Sequence, residues 1–342
     1  MKASVIWHEA YDEHDTGGHI EGADRASAIV AHLEATDLWQ RLTLTTPTPA
    51  TVEDVARVHG ASYIASVERA AAGRGTWLDA DTFVSSRSYE IALLAVGGTL
   101  EITREWEQGR VPFALVRPPG HHALPDRAMG FCLFGNVAVA AAHALSRGLE
   151  RVLIVDFDVH HGNGTQSMFY GEKRVLYVSS HAWPFYPGTG GVDEVGEGPG
   201  RGFTVNLPLP GALGDREYAS VYRQIVEPIG RAFDPELVLV SAGFDAHGGD
   251  PLAGMDLTAA GYAELMDVCV GLAGGAGRGR VIAALEGGYG LPALAQSAAA
   301  VTRVLLGDKP APLAPATSGP VLDVISGYRR VLRPFWPALE SA

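Results

Sequence analysis

The chain has 342 residues and carries 26 Lys plus Arg against 39 Asp plus Glu, a formal net charge of −13 that disfavours nucleic acid and anionic membrane as partners. It is 47% hydrophobic, yet no apolar run is long enough to span a bilayer, so no membrane partner is expected. Two cysteines, Cys132 and Cys269, are too few for a disulfide framework, and residues 1–8 lack a signal peptide's apolar core, so a cytoplasmic location is expected.

In chain order, Ser4 to Trp7 is predicted as the first strand. Helices are predicted over Ala26–Ala35, Thr51–Val58 and Ser62–Ala72, and a long one over Ser88–Glu107. The Ala-rich stretch Val137–Ser146 is apolar nearly all round and should be a buried helix. Val175–Ser179 and Phe203–Leu207 read as strands, and Asp215–Ala232, Thr258–Leu272 and Leu291–Leu306 as helices, with Thr258 an N-cap. A Pro-rich loop over Asp308–Pro320 precedes a closing helix over Val321–Leu339, and segments 73–87 and 181–202 read as surface loops.

Four further apolar runs share one design. Phe113–Val116, Val152–Val155, Leu237–Val240 and Val281–Leu285 each end in a polar cluster. The clusters are Arg117-Pro-Pro-Gly-His-His, Asp156-Phe-Asp-Val-His-His-Gly-Asn-Gly, Ser241-Ala-Gly-Phe-Asp and Glu286-Gly-Gly-Tyr-Gly. Short continuous apolar runs alternating with helices predict a single α/β domain, a mostly parallel sheet with helices on both faces. In such sheets ligands sit outside the carboxyl ends of the strands. The four clusters should therefore converge on one rim.

Alternation along a strand places Asp156, Asp158 and His160 on one side, with Phe157, Val159 and His161 on the other. Buried together, two carboxylates and an imidazole call for a cation. Asp158, His160 and Asp245 offer three N/O ligands with an open position, the pattern of a catalytic Zn²⁺ site. Fe²⁺, Co²⁺ or Mn²⁺ would suit the same donors. The adjacent His121 and His122 suit acid–base work, with Asp156 and Asn163 as the spare groups that orient them. Tyr289, between glycines, offers a hydroxyl to a developing oxyanion. The set reads as hydrolysis of an amide or ester carbonyl.

These motifs, with GFC at 130–132 and PGTG at 187–190, resemble those of the histone deacetylase family, and in particular its class II branch and the bacterial acetylpolyamine amidohydrolases. The resemblance runs from about residue 5 to about residue 306 and implies the arginase–deacetylase fold, with one eight-stranded sheet. It implies a zinc-dependent amidohydrolase that removes acetyl groups from acetyl-lysine through metal-activated water. An acetylpolyamine or another acetylated small amine is the alternative substrate.

By motif, the resemblance makes Asp158, His160 and Asp245 the zinc ligands and His122 the general base and later acid. His121 becomes its electrostatic partner, oriented by Asp156, while Asn163 orients His122 and Tyr289 donates to the oxyanion. Phe131 and Tyr186 become tunnel walls and Gly130 the point where the substrate stem passes closely. Ser179 with Asp156 falls at a structural K⁺ site, and Arg25 at an acetate exit. Leu252 stands where a polyamine enzyme would carry an acidic gatekeeper, which favours an acyl-lysine substrate. Gly135 replaces the first Asn of an Asn-Asn pair, with a small packing effect expected. Asp81 is a further candidate at the rim, and the oligomeric state stays open. A binuclear ureohydrolase would need more bridging carboxylates, and a non-catalytic acyl-lysine binder would lack a ligand, base or Tyr.

Overall fold

The computed structural model describes residues 2–107, 110–252, 254–275 and 279–340. Its frame is an eight-stranded sheet built from β1 (Lys2–Ile6), β2 (Leu42–Thr45), β5 (Arg110–Ala114), β6 (Val152–Asp156), β7 (Val175–Ala182), β8 (Thr204–Leu209), β9 (Leu237–Ala242) and β10 (Val281–Leu285). The order is β2-β1-β5-β10-β9-β6-β7-β8, and every described pairing in it is parallel. A separate two-stranded antiparallel ribbon joins β3 (Thr76–Trp77) to β4 (Phe83–Val84).

Alternation along the central strands divides the core. Leu153, Val155, Val238, Val240, Ala283 and Leu285 face one layer; Val152, Ile154, Leu237, Leu239, Ile282 and Ala284 face the other. Both faces are covered, which is why these strands read as unbroken apolar runs. Helices α1 (Asp24–Glu34), α9 (Ala259–Leu272) and α10 (Leu291–Leu305) close the first layer; α4 (Ser88–Glu107) and α5 (Asn136–Ser146) close the second. The remaining helices are α2 (Val52–Val55), α3 (Ala61–Ala71), α6 (Asn163–Phe169), α7 (Asp215–Val221), α8 (Glu227–Phe233) and α11 (Pro320–Leu332). Among the described residues no helix is long and apolar enough to cross a membrane.

The consequence for the site lies in the strand order. β5, β10, β9 and β6 are contiguous, so the four polar clusters that follow them meet at one edge although up to 169 positions separate them in the chain.

Several elements differ from the sequence expectation. The strand expected to carry Asp158 and His160 stops at Asp156, and both residues sit in the turn that follows. The helix expected over Asp215–Ala232 is continuous but carries a π segment, Tyr222–Val226, between α7 and α8. The closing helix ends at Leu332, because Pro334 and Pro337 cannot continue it, and a short 3₁₀ turn follows at Pro337–Glu340. The helix expected over Thr51–Val58 is a single turn at Val52–Val55, capped by Thr51 and Asp54. The loop expected over 73–87 contains the β3–β4 ribbon, and β7 runs on to Ala182, into the segment expected as the second loop. The N-cap at Thr258 is present, accepting from the Ala260 amide at 3.2 Å. Cys132 and Cys269 are both buried free thiols.

One close approach is testable. α4 lies against the 47–50 loop so tightly that a Cβ on Gly97 would sit 1.8 Å from the Thr48 carbonyl oxygen. Gly97→Ala should lower stability by about 3 kcal/mol through overpacking. Gly327→Ala, inside α11 where a Cβ meets nothing within 4 Å, should raise it by about 0.5–1 kcal/mol through helix propensity alone. Denaturant unfolding of the two variants checks both signs.

Candidate active site

The edge where the four strands end holds a cavity of about 270 Å³, lined by His121, His122, Gly130, Phe131, His160, Tyr186, Leu252 and Tyr289 among others. A more open groove of about 710 Å³, lined in part by Arg57, His59 and Arg174, shares no residue with it and lies away from the strand-end cluster.

Where His160 lines the cavity, ligand atoms of Asp158, His160 and Asp245 lie within 4.8 Å of one another. His160 Nδ1 is 3.1 Å from Asp158 Oδ1 and 3.1 Å from Asp245 Oδ2. The backbone aims these carboxylates: Asp158 Oδ2 accepts from the Gly287 amide at 2.8 Å, and Asp245 Oδ1 from the Val159 amide at 2.8 Å. Glycines make room for them. A Cβ on Gly243 would lie 2.0 Å from Asp158 Oδ2, and one on Gly287 2.2 Å from Asp245 Oδ2.

The electrostatics fit a cation. Burial and the neighbouring Asp158 push the Asp245 carboxyl up to about 7. Burial alone would depress His160, but its hydrogen bonds to Asp158 and Asp245 carry it up to about 10. The two carboxylates thus favour positive charge between them. A divalent ion would balance the two carboxylates and release the imidazole to act as a neutral donor.

The acid–base pair sits beside this group, with the His121 and His122 rings 4.0 Å apart. His121 Nδ1 lies 3.1 Å from Asp156 Oδ2, which also accepts from the Tyr177 hydroxyl at 3.0 Å. His122 Nδ1 lies 2.8 Å from Asn163 Oδ1. Their environments split them. Burial opposes charge on His121, yet Asp158 and Asp156 hold it well above the ordinary imidazole range. Burial, followed by the positive neighbours His121 and His160, drives His122 well below that range. Tyr289 is raised by burial despite Arg25 beside it, so its phenol stays protonated.

All the expected wall residues line the cavity, and so does Asp81. Phe131 meets Tyr289 edge-on at 5.7 Å and Tyr186 meets His122 edge-on at 5.1 Å. Phe185, which sequence reasoning passed over, stacks on the His160 ring at 5.3 Å. Two of the expected residues also make close structural contacts. A Cβ on Gly130 would lie 2.4 Å from the His122 ring, so this glycine, at φ +56°, first of all seats the base. Arg25 does not line the cavity. It is buried, donates through Nε to the Gly288 carbonyl at 2.7 Å and to the Glu286 carbonyl, pairs with Glu21, and lies 4.7 Å over the Tyr289 ring. It therefore braces the Tyr289 turn. Ser179 is also away from the cavity, its Oγ 2.9 Å from His181 Nδ1. A Cβ on Gly135 would lie 3.1 Å from Met168 Cε, so the glycine makes room for that side chain.

The clamp behind Arg25 also went unread. Arg117 Nε donates to Glu21 Oε1 at 2.7 Å and its NH2 group to Glu21 Oε2 at 3.0 Å. The signal was present: Arg117 directly follows a buried apolar run, and a wholly buried arginine must have a carboxylate.

A metal prediction follows. Zn²⁺ at about a hundred times its Kd should stabilise chelated protein by about 2.7 kcal/mol. Asp245→Asn should unfold at or above the temperature of the chelated parent, because it removes a carboxylate strained by its neighbour, yet lose most of the zinc-induced shift. Equal zinc shifts in both proteins, read by thermal unfolding, would place the ion elsewhere.

This geometry can be set beside known proteins. The histone deacetylase domain family matches residues 19–305. Histone deacetylase 15 of Arabidopsis thaliana is 41% identical over 331 residues, 94% of this chain and 59% of that protein, so the chain spans little more than half of that relative. A probable deacetylase of Archaeoglobus fulgidus is 40% identical over 84% of this chain and 82% of its own length. The crystal structure of the HDA15 HD domain superposes with a TM-score of 0.94 at 38% identity, covering 100% of this chain and 98% of that one. A shared sheet and shared sequence along nearly the whole length lead to one assignment: the chain belongs to the histone deacetylase family.

Proposed function

We propose that this chain is a zinc-dependent amidohydrolase that removes the acetyl group from an acylated lysine side chain. The observation that carries the reading is convergence. His160 of a buried Asp-His-Asp group, two adjacent histidines whose environments push them in opposite directions, and Tyr289 all line one apolar-walled cavity. A Zn²⁺ ion held by Asp158, His160 and Asp245 would supply Lewis acidity at the substrate carbonyl and lower the pKa of a water.

The chain's own residues do the rest. Asn163 Oδ1 accepts the Nδ1 proton of His122, which leaves Nε2 free as a base at neutral pH. His122 removes the proton of the attacking water and later returns it to the departing amine. His121, charged and held by Asp156, stabilises the negative charge that develops nearby. The Tyr289 hydroxyl donates to the oxygen of the carbonyl under attack. Phe131 and Tyr186 grip the apolar stem of the substrate and exclude water.

The acyl-lysine reading rests on Leu252, which lines the cavity and offers no charge to a distal ammonium. In the same proposal, K⁺ is placed at Asp156 and Ser179, which are register partners on β6 and β7. A cytoplasmic location belongs to it as well, supported by the two buried free thiols.

Purified protein loaded with Zn²⁺ should release acetate from an acetyl-lysine peptide in preference to an acetylpolyamine, and a chelator should abolish turnover. Tyr289→Phe should lower kcat about 10²- to 10³-fold with KM within a few-fold. Unchanged kcat would remove Tyr289 from the chemistry, and a preference for the polyamine would overturn the argument from Leu252.

A further inference from the structure

Glu286 directly follows the fully buried strand β10 and is itself wholly buried. A carboxylate in that position must be matched, and three donors match it. Oε2 accepts the Gly120 amide at 2.6 Å and the His121 amide at 3.1 Å; Oε1 accepts the Ser241 hydroxyl at 3.1 Å. Because β10 lies between β5 and β9, this side chain reaches the loop after one neighbour and the end of the other.

The loop it reaches has few backbone donors of its own. Pro118 and Pro119 carry no amide hydrogen, so Gly120 and His121 offer the first backbone donors after Arg117. The opposite side of His121 is held too: its carbonyl accepts from the Gly164 and Thr165 amides at 3.0 and 3.1 Å. The catalytic histidine backbone is thus clamped between Glu286 and the start of α6. Meanwhile the Glu286 carbonyl accepts from Arg25, and the next amide, Gly287, donates to Asp158 Oδ2.

We propose that Glu286 is a positioning residue for the acid–base pair, setting His121 and His122 in register with the metal-ligating carboxylates and Tyr289. The proposal rests on the amidohydrolase reading above. What it requires is an acceptor for two amides at the right reach, with the second oxygen's place filled by a group that bonds Ser241.

That requirement separates the variants. Glu286→Gln keeps the reach, since its carbonyl oxygen can accept both amides while its NH2 donates to a Ser241 hydroxyl turned round as acceptor. Glu286→Asp keeps the charge but is shorter by one methylene. In zinc-loaded protein, Glu286→Gln should retain about a third of kcat. Glu286→Asp should lose about 30- to 100-fold in kcat, with KM within about twofold and zinc content unchanged. Wild-type kcat in Glu286→Asp, or an equal loss in both variants at equal zinc content, would overturn the proposal.

If Glu286→Asp does not accumulate as folded protein, Ser241→Ala combined with Glu286→Gln decides. Without Ser241 to select the amide's orientation, kcat should fall about tenfold below that of Glu286→Gln, and equal values would overturn the assignment. The amide proton shifts of Gly120 and His121 test the same clamp without turnover. They should lie well downfield in the parent and Glu286→Gln and move upfield in Glu286→Asp; shifts that do not move would overturn it. A parent that binds zinc but turns over no acyl-lysine substrate would sink the reaction while leaving this last readout to judge Glu286.

Discussion

The constraint on which this structure depends is the burial of acid at the ends of its central strands. Glu21, Asp156, Asp158, Asp245 and Glu286 are all essentially removed from water within one edge of the sheet. Charges so placed persist only when each oxygen has a donor or an opposite charge. The chain meets this in two ways. Arg25 and Arg117 neutralise Glu21, and backbone amides and hydroxyls take up Asp156 and Glu286. Asp158 and Asp245 are left with His160 between them, and that residual negative charge is what a dication would answer. The strongly split behaviour of His121 and His122 follows from the same field: one faces the carboxylates, the other faces two histidines.

How much of this was legible in the sequence depends on where the information resides. The central strands were legible because burial on both faces leaves an unbroken apolar run, and the clusters that follow them supplied half of the cavity's lining. The ligand trio was legible because Asp158, His160 and Asp245 make chemical sense only together. β2 was missed, with its burial pattern of partial exposure and its edge position, because an edge strand of four residues carries little periodic signal. α6 was missed because Gly162 and Gly164 flank its start and hide a seven-residue helix. The bracing contacts of Arg25 were not legible because, apart from Glu21, its partners are main-chain carbonyls more than 260 residues away, and no pattern in the sequence marks a carbonyl. Gly130 was read from the ligand's side, whereas the nearer constraint is the imidazole packed against it.

The cavity wall shows the same economy of parts. Phe185 and Tyr186 belong to the segment expected as a surface loop, and each is more than a third exposed. The backbone just after them is nevertheless tied down from below. His161 Nδ1 lies 2.8 Å from Thr189 Oγ1 and its Nε2 2.9 Å from Gln166 Oε1; Gln166 donates to Glu194 Oε2 at 2.6 Å, and Glu194 Oε1 accepts the Gly190 and Gly191 amides. His161, the neighbour of a ligating histidine, therefore fixes the loop that supplies two walls. Alternation after the strand sends one histidine to the ligand group and the next to the wall's foundation, so a single turn sets both.

This arrangement bears on selectivity. An aromatic wall on a braced loop discriminates by width and apolar contact, which suits a methylene stem and contributes little against one extra methylene. Charge selection would have to come from the rim, where Leu252 is neutral and Asp81, half-buried and next to Asp79, is pushed up by burial and by that second carboxylate. A carboxyl in that setting is a weaker partner for a distal ammonium than a fully charged one, but it remains a good acceptor for a backbone or side-chain N–H. The rim therefore offers little charge with which to hold a distal ammonium.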